Sequence, residues 1–223
     1  MAAFTSDVLQ EYVRLCETEF KVKLVEKKTS IFMKMIAVIL FFNKNFMTSY
    51  VTTIGRTVYW PDLEERFSKY PENSFRTMFH ETQHAHDGSV FKIVYELSYL
   101  SPQIGGLLSL LAFMAITFSN AWLLALLALV LIAPFPAYFR AHWEFRGSSC
   151  NMAYRIWTDD RVSDRYKDFL VQRFKGPDYY FMWPFPKSVR KKLAKIEQRI
   201  RAGKLTEVQR KTHVFLQNHG IIS

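Results

Sequence analysis

Cysteine is scarce in this chain, with two among 223 residues, Cys16 and Cys150. They form no CxxC pair and no disulfide framework, which excludes a disulfide-stapled scaffold and suits a reducing compartment. The opening MAAFTSDVLQEYVRL lacks a basic patch followed by an apolar core, so no signal peptide is expected. Internal repeats and low-complexity tracts are also missing, which excludes a solenoid or a compositional linker. The largest absence is of charge: residues 97–139 contain no Asp, Glu, Lys or Arg.

Elsewhere charge is plentiful and mostly positive, with 30 Lys+Arg against 20 Asp+Glu and a formal net charge of +10. Residues 187–211 hold ten Lys or Arg and two Glu, so this stretch carries most of the excess. Its pattern gives two basic C-terminal helices within 187–218. Their charge suits a solvated face or anionic lipid along 187–211, and nucleic acid is the less favoured partner. The length is enough to bury a core, and we read residues 1–223 as a single domain.

Apolar and charged residues alternate at helical spacing over 5–28, which predicts an amphipathic helix. IFMKMIAVILFF (31–42) is too short to span a bilayer and reads as a buried or interfacial helix. VTTIGRTVYW (51–60) is β-branched and aromatic, and predicts a strand or a short hairpin bent at Gly55. Pro71, Asn73 and Ser74 offer start signals for the next helix. The uncharged stretch predicts an inserted, membrane-type helical hairpin at 97–139, turning at Ser119-Asn120. Tyr99, Trp122 and Tyr138 are aromatics of the membrane-interface kind. Further helices are expected over 140–158 and 160–174, with an aromatic, proline-punctuated loop at 175–186. The fold class is therefore mostly α (α+β), a helical domain with a small strand or hairpin and the inserted hydrophobic hairpin.

The chemistry concentrates in FRTMFHETQHAHDG (75–88). Residues 80–84 read HETQH, a match to H-E-x-x-H. On a helix His80 and His84 lie one turn apart on the same face, so both imidazoles can reach one Zn2+ ion. Glu81 lies beside that face, placed to take a proton from a metal-activated water and pass it to a leaving amine. A third ligand is needed. His86 points to the opposite side, Asp87 belongs to the same rigid helix, and a continuation HxxGxxH is not present. Glu144, in AHWEFRGSS (141–149), follows the hairpin, and a hairpin returns the chain to where it left. Glu144 is thus the expected third ligand, while His142, Tyr154 and Arg146 are candidate donors to a transition-state oxyanion.

HExxH, a hydrophobic hairpin and then Glu144-Phe145-Arg146-Gly147-Ser148 with small residues after it resemble the gluzincin membrane proteases of the HtpX and CAAX prenyl endopeptidase type. The resemblance covers roughly residues 50–157 of a shortened, divergent relative, in which the N-terminal membrane helices of that type are reduced to 31–42. It implies a zincin-like helical domain with zinc held by His80, His84 and Glu144 and with Glu81 as the catalytic carboxylate. Ser148 stands where the family motif carries an aspartate that supports a histidine ligand, and Asp87 is an acid that can replace it.

The function expected is that of a zinc metallopeptidase with one ion, cutting membrane or membrane-adjacent proteins. It would be membrane-associated through 97–139, with its site on the cytoplasmic side. Two alternatives follow from the same residues: a membrane-bound interaction protein whose zinc site has decayed, and a soluble, basic, DNA-associated protease.

Overall fold

Thr5 opens the first helix, its hydroxyl accepting from the Val8 amide, and α1 runs over Ser6–Glu19. The computed structural model describes residues 4–39, 44–101, 103–116, 118–132, 136–179 and 181–222. The helix expected over 5–28 is shorter than its periodicity suggested. It stops at Glu19, Lys21 adopts a left-handed φ of 56°, and Lys23–Glu26 becomes strand β1. Pairing with another strand wins over helical spacing there, an interaction that local pattern does not carry.

Strands β2 (Thr52–Ile54) and β3 (Thr57–Trp60) form the hairpin expected around Gly55, whose φ of +57° suits the tight two-residue turn. β1 pairs with β3 in parallel and β2 pairs with it antiparallel, giving the order β1-β3-β2 with β2 at an edge. Between β1 and β2, helix α2 (Ile31–Ile39) turns Ile31, Phe32, Met35 and Val38 outward and buries Met33. The remainder of the 31–42 expectation lies outside the described residues.

Helix α3 (Leu63–Lys69) leads into α4 (Pro71–Phe91), which has proline at its first position, where no amide partner is lost. Helix α5 (Ile93–Leu100) follows, and then two 3-10 segments, Gln103–Ile116 and Asn120–Ile132, lie against each other. After these come α6 (Tyr138–Asp159), α7 (Asp164–Lys175), α8 (Pro186–Arg201) and α9 (Glu207–Asn218). Among the described residues the fold is mostly helical, as the periodicity implies, with one three-stranded sheet in which β1 joins the expected hairpin.

The inserted membrane hairpin is not shown in that form. Among the described residues no helix is long and apolar enough to cross a membrane. Three residues per turn instead stack Leu108, Leu111 and Met114 in one column and Leu124, Leu127 and Val130 in another, all exposed.

The chain divides into two compact units, with α6 and α8 passing from one to the other. One comprises Met1–Lys92, Arg146–Val162 and Glu197–Ser223; the other comprises Ile93–Phe145 and Ser163–Ile196. The core of the first is built around Phe75 on α4, which is fully buried. Its ring lies 4.7 Å from Phe4, 4.6 Å from Tyr12 on α1 and 5.2 Å from Tyr154 on α6. Each such pair adds about 0.5–1.5 kcal/mol to the burial itself, so one side chain joins three helices. The second unit packs Phe145 on Phe174 at 4.2 Å and Tyr95 on Trp143 at 4.9 Å.

In the basic tail, α8 buries Val189, Leu193, Ile196 and Ile200 at helical spacing and turns Lys187, Lys191, Lys195 and Arg199 outward. Helix α9 starts with a reciprocal cap between Thr206 and Gln209. Its Thr206 hydroxyl reaches Gln83 of α4 at 2.8 Å, and the Gln209 amide reaches Ser149 of α6 at 2.9 Å. Both cysteines are free and buried beside this layer. Burial pushes the Cys16 thiol up to about 12 and Cys150 well above its ordinary value, so neither is a thiolate nucleophile.

Candidate metal centre

Helix α4 presents His80 and His84 on one face because one turn separates them. Their Nε2 atoms face each other at 3.0 Å, with the rings inclined by 72°. Two nitrogens bound at about 2.0–2.1 Å to one tetrahedral ion stand roughly 3.3 Å apart. Loading therefore asks for a shift of only a few tenths of an ångström, well within side-chain motion.

Gly147 of α6 lies directly against this pair. A Cβ built on it would sit 2.7 Å from His80 Nε2 and 2.9 Å from His84 Nε2, closer than real contacts allow. The absent side chain is what lets α6 approach the imidazoles. Glu144 precedes Gly147 by three residues and so shares its face of the helix. Ligand atoms of His80, His84 and Glu144 all lie within 4.8 Å of one another, a cluster that can hold a metal ion. His84 and Glu144 are nearly inaccessible to solvent, at 4% and 3%. Two imidazoles and a carboxylate, without thiolate, suit zinc and neighbouring divalent ions.

Glu144 has phenolic company. The Tyr99 hydroxyl donates to its Oε1 at 2.5 Å. Burial pushes the Tyr179 hydroxyl well above its ordinary value, and the nearby Glu144 carboxylate adds to that shift. Tyr179 therefore stays protonated and able to donate. Tyr99 has the sequence context of a membrane-interface aromatic, and Tyr179 lies in the aromatic, proline-punctuated stretch 175–186. Neither phenol carries a local signal, because the helix that brings Tyr99 to Glu144 is distant in sequence.

Glu81 lies one residue beyond His80, and Thr53 of edge strand β2 donates to its Oε2 at 2.7 Å. Asp87, expected near a histidine, is fully buried and forks with Arg146, whose Nε and Nη2 donate at 2.7 and 2.6 Å. Gln83 donates to the same carboxylate at 2.9 Å. Removing one partner from such a buried pair costs about 3–5 kcal/mol. Arg146 thus uses its guanidinium in locking α6 to α4.

The other candidates occupy different ground. Tyr154 sits in the first unit's core and donates to Glu72 at 3.2 Å, at a helix position about 12 Å along α4 from His80. His142 lines a small cavity of about 70 Å³ with Tyr138, Phe145 and Trp183. Ser148 is buried at 3% exposure on α6, beside Gly147. His86 faces away, its ring edge-on to Phe20 and its Nε2 3.6 Å from Glu207. Comparison with protein-family models, curated proteins and solved structures finds no match to the chain.

Proposed function

We propose that this protein is a zinc-dependent endopeptidase of the HExxH-plus-glutamate kind, acting on membrane or membrane-adjacent proteins. The observation that supports it most is the convergence of His80, His84 and Glu144 beside a carboxylate, Glu81, that the ion does not need as a ligand. A purely structural site has no use for that fourth group.

Zinc bound there would polarise the scissile carbonyl and bring the pKa of water down to about 7. Glu81 takes a proton from the water as its oxygen attacks the carbonyl carbon. It returns the proton to the leaving nitrogen as the C–N bond breaks. Thr53 fixes one carboxylate oxygen beforehand, so orientation costs little at the moment of reaction. Edge strand β2, which carries Thr53, offers backbone groups to an extended substrate segment lying beside Glu81.

The membrane reading rests on apolar exposure. Ile93, Val94, Leu97 and Leu100 of α5 are 51–73% exposed, and the two leucine columns continue that character. An apolar area of this kind marks a membrane or partner surface. The basic residues flanking it, Lys92 and Arg140, favour the cytoplasmic side. The exposed basic face of α8 is suited to anionic headgroups, and nucleic acid remains the weaker candidate.

Removing the metal tests the reading. Cleavage of an unfolded protein should stop on dialysis against a chelator and return with one equivalent of Zn2+, while the helical circular dichroism persists. Zinc bound at one equivalent with no cleavage would favour the decayed interaction protein instead.

A further inference from the structure

Lys27 is fully buried, yet it ends in an ammonium group. Its Nζ donates to Phe46 O, Tyr50 O and Thr52 Oγ1, each at 2.7 Å, and lies 3.8 Å from the centroid of the Phe46 ring. All three donors are satisfied, none of them by a carboxylate. Burying a charge in this way costs several kcal/mol, offset by three hydrogen bonds whose acceptors an apolar side chain would strand. Filling space alone is therefore a poor account of the residue.

The neighbouring strand offers a better account. Thr52 and Thr53 are consecutive in β2, and consecutive side chains of a strand point to opposite faces. Thr52 faces Lys27, while Thr53 faces Glu81 and donates to it at 2.7 Å. Lys27 thus ties the 46–52 segment into the strand from behind, and the strand holds the carboxylate in front. Burial lowers Lys27 to about 8, and the Glu81 carboxylate works in the opposite direction, so the ammonium remains charged at neutral pH.

We propose that Lys27 is a positioning residue for Glu81, pinning β2 through Thr52 so that Thr53 presents its hydroxyl to the carboxylate. The peptidase reading says what Glu81 does; the positioning itself does not depend on that reading.

Two measurements on the full chain test it. Lysine 13Cε/15Nζ NMR follows the Lys27 titration in the wild type and in Glu81→Gln. Removing the negative neighbour should lower the Lys27 midpoint, and an unchanged midpoint overturns the link between Lys27 and Glu81. This readout needs no hydrolysis, so it stands even if the peptidase reading fails. Lys27→Met strands three buried acceptors and endangers folding, so the kinetic arm uses Thr53→Val. Its kcat should fall by about 10- to 100-fold with KM and zinc content retained, and Thr53→Ser should restore it. A Thr53→Val enzyme with wild-type kcat, or equal loss in Thr53→Ser, overturns the positioning of Glu81 through Thr53.

Discussion

Gly147→Ala should fold normally and bind zinc on the order of 100-fold more weakly than the wild type. The added methyl falls 2.7 Å from both Cε1 and Nε2 of His80 and 2.9 Å from Nε2 of His84. Backbone is not in the way, so the fold can absorb the substitution by turning the two rings. Turning them destroys the convergence on which the site depends. Alanine is also the better helix former by about 1 kcal/mol, so a thermal melt should show little or no loss. Competition with a chromophoric chelator reads the affinity. Unchanged zinc binding in Gly147→Ala would mean that the rings do not stand where the methyl would go.

Glu81→Gln should separate binding from chemistry. The amide has the carboxylate's shape and can still accept from Thr53, so the pocket keeps its form. It cannot take a proton from water, and the loss of general acid–base assistance costs about 10²- to 10⁴-fold in turnover. Zinc content should stay at the wild-type value, since Glu81 lies outside the ligand set. Cleavage of an unfolded protein at the wild-type rate would remove Glu81 from the reaction. Loss of zinc together with activity would instead place its carboxylate on the metal.

The sequence carried the parts of this site that follow from local spacing. Five consecutive residues place His80 and His84 on one helix face with Glu81 beside it, and helix geometry alone does this. Glu144 required a longer argument, from the return of the chain after an uncharged stretch. The cluster forms, although the intervening segments are 3-10 in character and no membrane-crossing hairpin is shown. Gly147 carried a usable signal, because glycine inside a helix costs about 1 kcal/mol against alanine and so points to a close approach.

What stayed hidden depends on contacts between segments far apart in sequence. Lys27 and Thr53 sit in unremarkable stretches, and only the pairing within the sheet and its packing on α4 bring them to Glu81. Strand β1 escaped notice for the same reason, since its four residues continue an apparent helical period until a partner strand claims them. Arg146 and Tyr154 are oxyanion-donor candidates by residue type alone. A buried acid, Asp87, holds the first and the aromatic core encloses the second, and neither neighbour can be read from position along the chain.

The most direct measurement is a calorimetric titration of the metal-free chain with Zn2+, run alongside Glu144→Gln. The account predicts one ion per wild-type chain and affinity weakened on the order of 100-fold in the variant, because a carboxylate ligand has become a poor donor. Equal affinity in the two proteins, or no binding by the wild type, would contradict the three-residue metal centre.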